Sequence, residues 1–153
     1  INKYINREPI EKLKKEGLTL NEVINMYHNG NIDFEYESRM NKSIKVLKEK
    51  EEKCDIKISN FIVENIRKHR LFLTQNHPTS CIFAFCANQV LKLLGCEYQF
   101  DVFNQQEFFH TNFYWKHTSY DKKYWNFEFD LKKYIDDKYY IKHIQIIYNN
   151  YKV

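Results

Sequence analysis

Residues 75–80 bring an imidazole, two amides and two hydroxyls together in six positions: Gln75, Asn76, His77, Thr79 and Ser80, with Pro78 among them. Histidine titrates near neutral pH, so a histidine in such company can take a proton from a hydroxyl or an amine as a general base. Pro78 fixes its own φ and biases His77 away from the α region, which aims the imidazole in one direction. Thr79 and Ser80 then open an apolar run, CIFAFCANQVLKLLG. If that run is helical, its first N–H groups and its dipole favour an anion at the same place, a phosphate or an oxyanion. The same residues also suit a plain turn, with His77 bonded to a nearby carbonyl and Thr79 and Ser80 as helix caps.

Other reactive side chains form weaker patterns. His110 and His117 flank FYWK at a separation that matches no standard metal spacing, so no metal centre is expected. His28, His69 and His143 read as helix-end or structural residues. Cys54, Cys81, Cys86 and Cys96 make no CxxC pair and read as reduced, small hydrophobes of an intracellular protein. With three glycines in the chain, neither GxGxxG nor a Walker loop exists. No serine sits in a GxSxG elbow, so a nucleophile, where one is needed, must come from elsewhere. Asn88 and Gln89 lie within the apolar run, and amides there need partners; a backbone group is the expected one.

The elements that must position His77 follow from pattern. LFLT (71–74) reads as a short central strand, QNHP as the loop after it, and residues 80–94 as a helix with Gly95 as its C-cap. That helix is apolar almost all round, so it is expected to be buried between layers. Strand, polar loop and buried helix form a β–α unit, which implies a parallel sheet with the loop at the carboxyl end of its strand, where ligands bind. Upstream, PIEKLKKEG is helical with Gly17 as its stop. Thr19 and Glu22 fit a capping box, and Tyr36, Met40, Ile44 and Leu47 recur at helical spacing after a possible cap at Asp33. Asp55–Ile58 is a break or a short strand, and Ser59 suits the cap of SNFIVENIRKH. Beyond Gly95 the chain is aromatic without clean period, YQFDVF holding some strand character, and it turns helical again from about Asp130.

At 153 residues, 43% of them hydrophobic and 17% aromatic, the chain is expected to be one packed domain spanning 1–153. Its formal charge of +4 is spread among acids, as in KVLKEKEEK, and no Lys/Arg block stands clear, so nucleic acid is not an expected partner. The apolar stretch near 81–94 is too short to span a membrane, and no apolar leader opens the chain; a cytoplasmic location is expected. The first residue is not Met, and the chain is expected to be the C-terminal portion of a longer polypeptide.

The stretch KKEGLTLNEVINMYHNGNIDF, continuing through SIKVLKEKEEKCDIKISNFIVENIRKHRLFLTQNHPTSCIFAFCANQVLKLLG, resembles the C-terminal half of the WcbI-type polysaccharide biosynthesis proteins. The features that carry the likeness are a G-L-T-x-x-E helix start, the ordered pair I-S-N-F-I and R-L-F-L-T, and N-H-P-T ahead of an apolar helix ending in Leu-Gly. The resemblance covers residues 15–96. It implies a helix-rich part of a three-layer, SGNH-hydrolase-like α/β fold with a short parallel sheet. It also implies acyl transfer from acetyl-coenzyme A to a sugar of a capsule or other surface glycan. His77 and Asn76 become the catalytic expectation, with Gln75, Thr79 and Ser80 expected to contact coenzyme A. The family's Gly-Asn-Cys-Gln region is absent here, so the missing N-terminal region of the same polypeptide is an expected partner, beside a sugar or nucleotide-sugar acceptor. The competing expectation is a noncatalytic accessory domain that binds glycan or a partner chain through the aromatic 108–127 region.

Overall fold

The computed structural model describes residues 7–74, 77–106, 117–129 and 135–152. In chain order its elements are α1 (Arg7–Lys15), α2 (Leu20–His28), α3 (Tyr36–Glu51), α4 (Ser59–Asn65), β1 (Phe72–Thr74), β2 (His77–Pro78), α5 (Ser80–Leu93), α6 (Ser119–Trp125) and α7 (Lys138–Asn150). They fall into two compact units, one within Ile1–Tyr36 and Lys116–Val153, the other within Glu37–Trp115.

The first unit packs α1, α2, α6 and α7 around Ile10, Val23, Tyr27, Ile32, Phe34, Tyr120, Ile144 and Ile147. Burial of each large apolar side chain contributes about 1.5–3 kcal/mol. Its helix ends are set locally. Thr19 and Glu22 form the expected capping box, the Thr19 N–H donating to Glu22 Oε2 at 2.7 Å. Thr118 and Asp121 form a second box at α6. Gly30 follows α2 at φ +71, and a Cβ there would lie 2.7 Å from the Tyr124 amide nitrogen, so both conformation and space call for glycine. Lys14 reaches from α1 to the other end of α7 and donates to the Tyr148 and Tyr151 carbonyls at 2.8 and 2.7 Å, a cation at a helix C-terminus. Asp33 caps no helix by the expected route. It accepts from the Glu35 amide at 2.7 Å, an Asx turn that stabilises the positive φ of Glu35, and α3 starts after it.

The second unit is built on Phe61, Ile62, Leu71 and Ile82, with Ile44 and Leu47 of α3 packed against them. Glu51, the last residue of α3, is buried and accepts from the Ile58 amide at 2.5 Å, the Ser59 amide at 2.7 Å and the Ser59 hydroxyl at 2.5 Å. The N-cap of α4 is therefore Ile58, whose side chain makes no cap bond, and the capping oxygens come from Glu51 rather than from Ser59. No strand forms over Asp55–Ile58 or over YQFDVF.

Two expectations about this unit are corrected. The sheet is antiparallel, not parallel: β1 pairs with β2, Phe72 opposite Pro78 and Thr74 opposite His77. Two strands separated by two residues have no room for the crossover that parallel pairing requires, so the expected β–α unit is a hairpin followed by a helix. Nor is α5 buried between layers. Phe83, Leu93 and Leu94 are 52%, 64% and 76% exposed. One side of α5 meets the core cluster and the hairpin; apolar composition all round does not itself supply neighbours for the other side.

Candidate active site

His77 is placed by the shorter of the two strands among the described residues. β2 holds only His77 and Pro78, and its pairing partner β1 is held by Leu71 and Leu73, both buried. Proline lacks an N–H and is tolerated on such an edge strand. Because Thr74 is the register partner of His77, their side chains meet: Thr74 Oγ1 lies 2.5 Å from His77 Nδ1. The imidazole is half-buried.

Thr79 joins this hairpin to α5. Its backbone is extended, as an N-cap requires, yet its hydroxyl makes no cap bond. It turns back and donates to the Leu71 carbonyl at 3.0 Å and the Arg70 carbonyl at 3.1 Å, while the Thr79 amide donates to the Leu71 carbonyl at 2.9 Å. With its only hydrogen so directed, the Thr79 oxygen acts as acceptor for the Cys81 thiol, 2.9 Å away. Thr79 is 6% exposed and Ser80 5%. A strand end, an imidazole and the start of a 14-residue helix are thus tied into one short segment. Gln75 and Asn76, the other two expected site residues, lie outside the described residues.

Further along α5, two amide side chains bond backbone groups. Asn88 accepts from the Phe100 amide at 2.7 Å and donates to the Phe100 carbonyl at 2.9 Å. Gln89 does the same for Lys57, at 3.1 and 3.0 Å. Each amide side chain pairs with a backbone residue as a strand would, which is the expected fate of these two residues. A run of stacked rings, His69 on Phe103, Phe103 on Phe61 and Phe61 on Phe85, flanks the same core.

Among the described residues of this unit, Glu51 is the buried acid. Burial pushes the Cys86 thiol up, and the nearby Glu51 charge pushes it further, so Cys86 stays protonated and is a poor nucleophile. Burial alone would also raise Glu51. The hydrogen bonds from the Ser59 hydroxyl and the Ile58 and Ser59 amides, with the charge of Lys57, outweigh that effect and hold its carboxyl below the usual range.

Two residues escaped the sequence reading. Thr74 passed as an ordinary strand residue; the signal for it was a hydroxyl and an imidazole three apart, which face each other only if the two residues between them join paired strands. Glu51 sits in KEKEEK, where nothing distinguishes a buried acid from a solvated one.

Comparison with known families supplies the remaining observation. The model of the family described as polysaccharide biosynthesis enzyme WcbI matches residues 10–99. The chain belongs to this family. The matched stretch runs from α1 through α5 and contains His77, Thr74, Thr79, Ser80 and Glu51. Comparison with curated proteins and with solved structures finds no match. Membership in the WcbI family assigns the chain to polysaccharide biosynthesis. Among the described residues, no helix is long and apolar enough to cross a membrane.

Proposed function

We propose that this member of the WcbI family takes part in acyl transfer from acetyl-coenzyme A to a sugar of a surface polysaccharide, with His77 as general base. The observation that carries the reading is the half-buried imidazole of His77, engaged through Nδ1 and set at the start of α5, inside the stretch that matches the family. The ring nitrogen away from Thr74, Nε2, takes the proton of an acceptor hydroxyl. The acceptor oxygen attacks the thioester carbonyl, the C–S bond breaks, and the departing thiolate receives the proton from the imidazolium. Asn76 donates to the oxyanion in this scheme. Gln75 and Ser80 contact coenzyme A. Thr79 contributes by anchoring α5 to the two residues just before β1, since its hydroxyl is committed to the Leu71 and Arg70 carbonyls.

The test is release of free coenzyme A from acetyl-coenzyme A in the presence of candidate nucleotide sugars. His77→Ala is expected to lower turnover by about 100-fold or more, the usual worth of a positioned general base. Equal turnover by both proteins removes His77 from the mechanism. Absence of both turnover and coenzyme A binding by the unaltered protein favours the noncatalytic accessory role instead.

A further inference from the structure

We infer that Thr74 is a positioning residue for His77: its hydroxyl oxygen accepts the Nδ1 proton of the imidazole, which leaves Nε2 as the basic nitrogen. The inference rests on the general-base reading of His77 and adds to it a tautomer and the residue that selects it. A neutral imidazole carries one proton, on Nδ1 or on Nε2. A ring protonated on Nε2 can donate toward an acceptor sugar but cannot remove its proton there. General-base action at Nε2 therefore requires the proton on Nδ1, and the group facing Nδ1 must be able to receive it.

Thr74 Oγ1 faces Nδ1 at 2.5 Å. The placement is a property of the backbone, because Thr74 and His77 are register partners across β1 and β2. Threonine is branched at Cβ and stiff at χ1, so its oxygen stays on the imidazole once the strand is formed. The proline after His77 removes freedom on the other side of the pair. A hydroxyl, unlike a carboxylate, orients the ring without adding charge beside it. It also serves both halves of the reaction, since Nδ1–H remains bonded to Thr74 when Nε2 becomes protonated.

The experiment is nitrogen-15 NMR of the histidine side chains in the full chain, at a pH where the ring is neutral, with coenzyme A release measured in parallel. The unaltered protein and Thr74→Ser are expected to show His77 protonated on Nδ1. Thr74→Val, nearly isosteric but without the hydroxyl, is expected to shift the ring toward the Nε2–H tautomer. Turnover of Thr74→Val should fall by roughly 10- to 100-fold, the cost of losing an orienting partner at metal-bound imidazoles, with KM for acetyl-coenzyme A unchanged and most activity kept by Thr74→Ser. An Nε2–H ring in the unaltered protein overturns the inference, as does the same tautomer in both the unaltered protein and Thr74→Val. Should Thr74→Val not fold, Thr74→Ser and the unaltered protein still decide the tautomer. The two readings fail separately: a tautomer that depends on Thr74, together with full turnover by His77→Ala, removes the general base and leaves the Thr74–His77 pairing standing.

Discussion

Thr79 and Glu51 illustrate how a polar side chain becomes structural once it is buried beside the backbone. Thr79 satisfies the Arg70 and Leu71 carbonyls just before β1 from the residue that precedes α5, so its hydroxyl fastens the entry of the strand to the start of the helix. Thr79→Val keeps shape and removes that donor. It should destabilise the chain by about 1 kcal/mol, whereas Thr79→Ser should be close to neutral, as urea unfolding of the two variants would measure. Glu51 carries more. Three donors converge on its carboxylate, and Glu51→Ala leaves the Ile58 and Ser59 amides to find other partners. A loss of roughly 2–3 kcal/mol is expected, at the level seen when a buried, charge-assisted acceptor is removed.

At the scale of elements, the second unit is held less by sheet than by side chains that imitate one. Its hairpin has strands of three and two residues, too short to persist alone in water. Stability comes from α5, which covers the hairpin, seats Ile82 in the Phe61–Leu71 cluster and clasps Lys57 and Phe100 through Gln89 and Asn88. Gln89→Leu removes two bonds to one residue in a partly solvated place, where each is worth about 0.5–1.5 kcal/mol. The expected outcome is faster amide exchange over residues 55–59 with little change in unit one, which hydrogen-exchange mass spectrometry separates by peptide.

How much of these elements could be read beforehand depends on the range of the forces involved. The capping box at Thr19 and Glu22 was legible because it closes within four residues. The helix over 80–94 and its glycine stop were legible for the same reason. That Asn88 and Gln89 needed partners was legible from an amide in apolar company; that the partners are Phe100 and Lys57 was not. A three-residue strand carries too little pattern to reveal its direction, so β1 could be seen while antiparallel pairing to His77–Pro78 could not. An apolar helix announces that it can be buried, and only the packed chain shows that Phe83 and Leu94 are left outside.

For the molecule as a whole, the buried Glu51 and the half-buried Asp121 pull the response to pH in opposite directions. Glu51 in the second unit is held below the ordinary glutamate value of 4.5, so the unfolded chain binds its proton more readily than the native one. Its contribution is complete above that value and is lost as pH falls through the native one. Asp121 in the first unit is raised above the ordinary aspartate value of 3.8, burial being the main cause, partly offset by the Thr118 hydroxyl and amide. Its native state binds the proton more tightly, so its contribution is full below 3.8 and is lost as pH rises through the native value. Acidification should therefore loosen α4 and its neighbours before α6. Glu51→Gln should flatten the acid limb of the second unit, and Asp121→Asn should leave that limb unchanged, as pH-resolved hydrogen exchange would record. Tyr27 and Tyr120, both raised chiefly by burial, stay protonated through the alkaline range in which exposed tyrosines ionise.

The amino-acid sequence by itself determined what short-range chemistry can determine: where most helices start and stop, which amides need partners, that a strand precedes His77 and a helix follows it, and the family resemblance that those ordered motifs carry; the expected loop at His77 is instead the strand β2. Tertiary structure alone decided that the strands run antiparallel, that Thr74 meets His77, that Glu51 caps α4 in place of Ser59, and that α5 keeps an exposed apolar side. The division has one physical cause. A cap or a turn is stabilised by atoms a few residues apart, whereas strand direction, burial and the partner of a side chain depend on groups that only folding brings together.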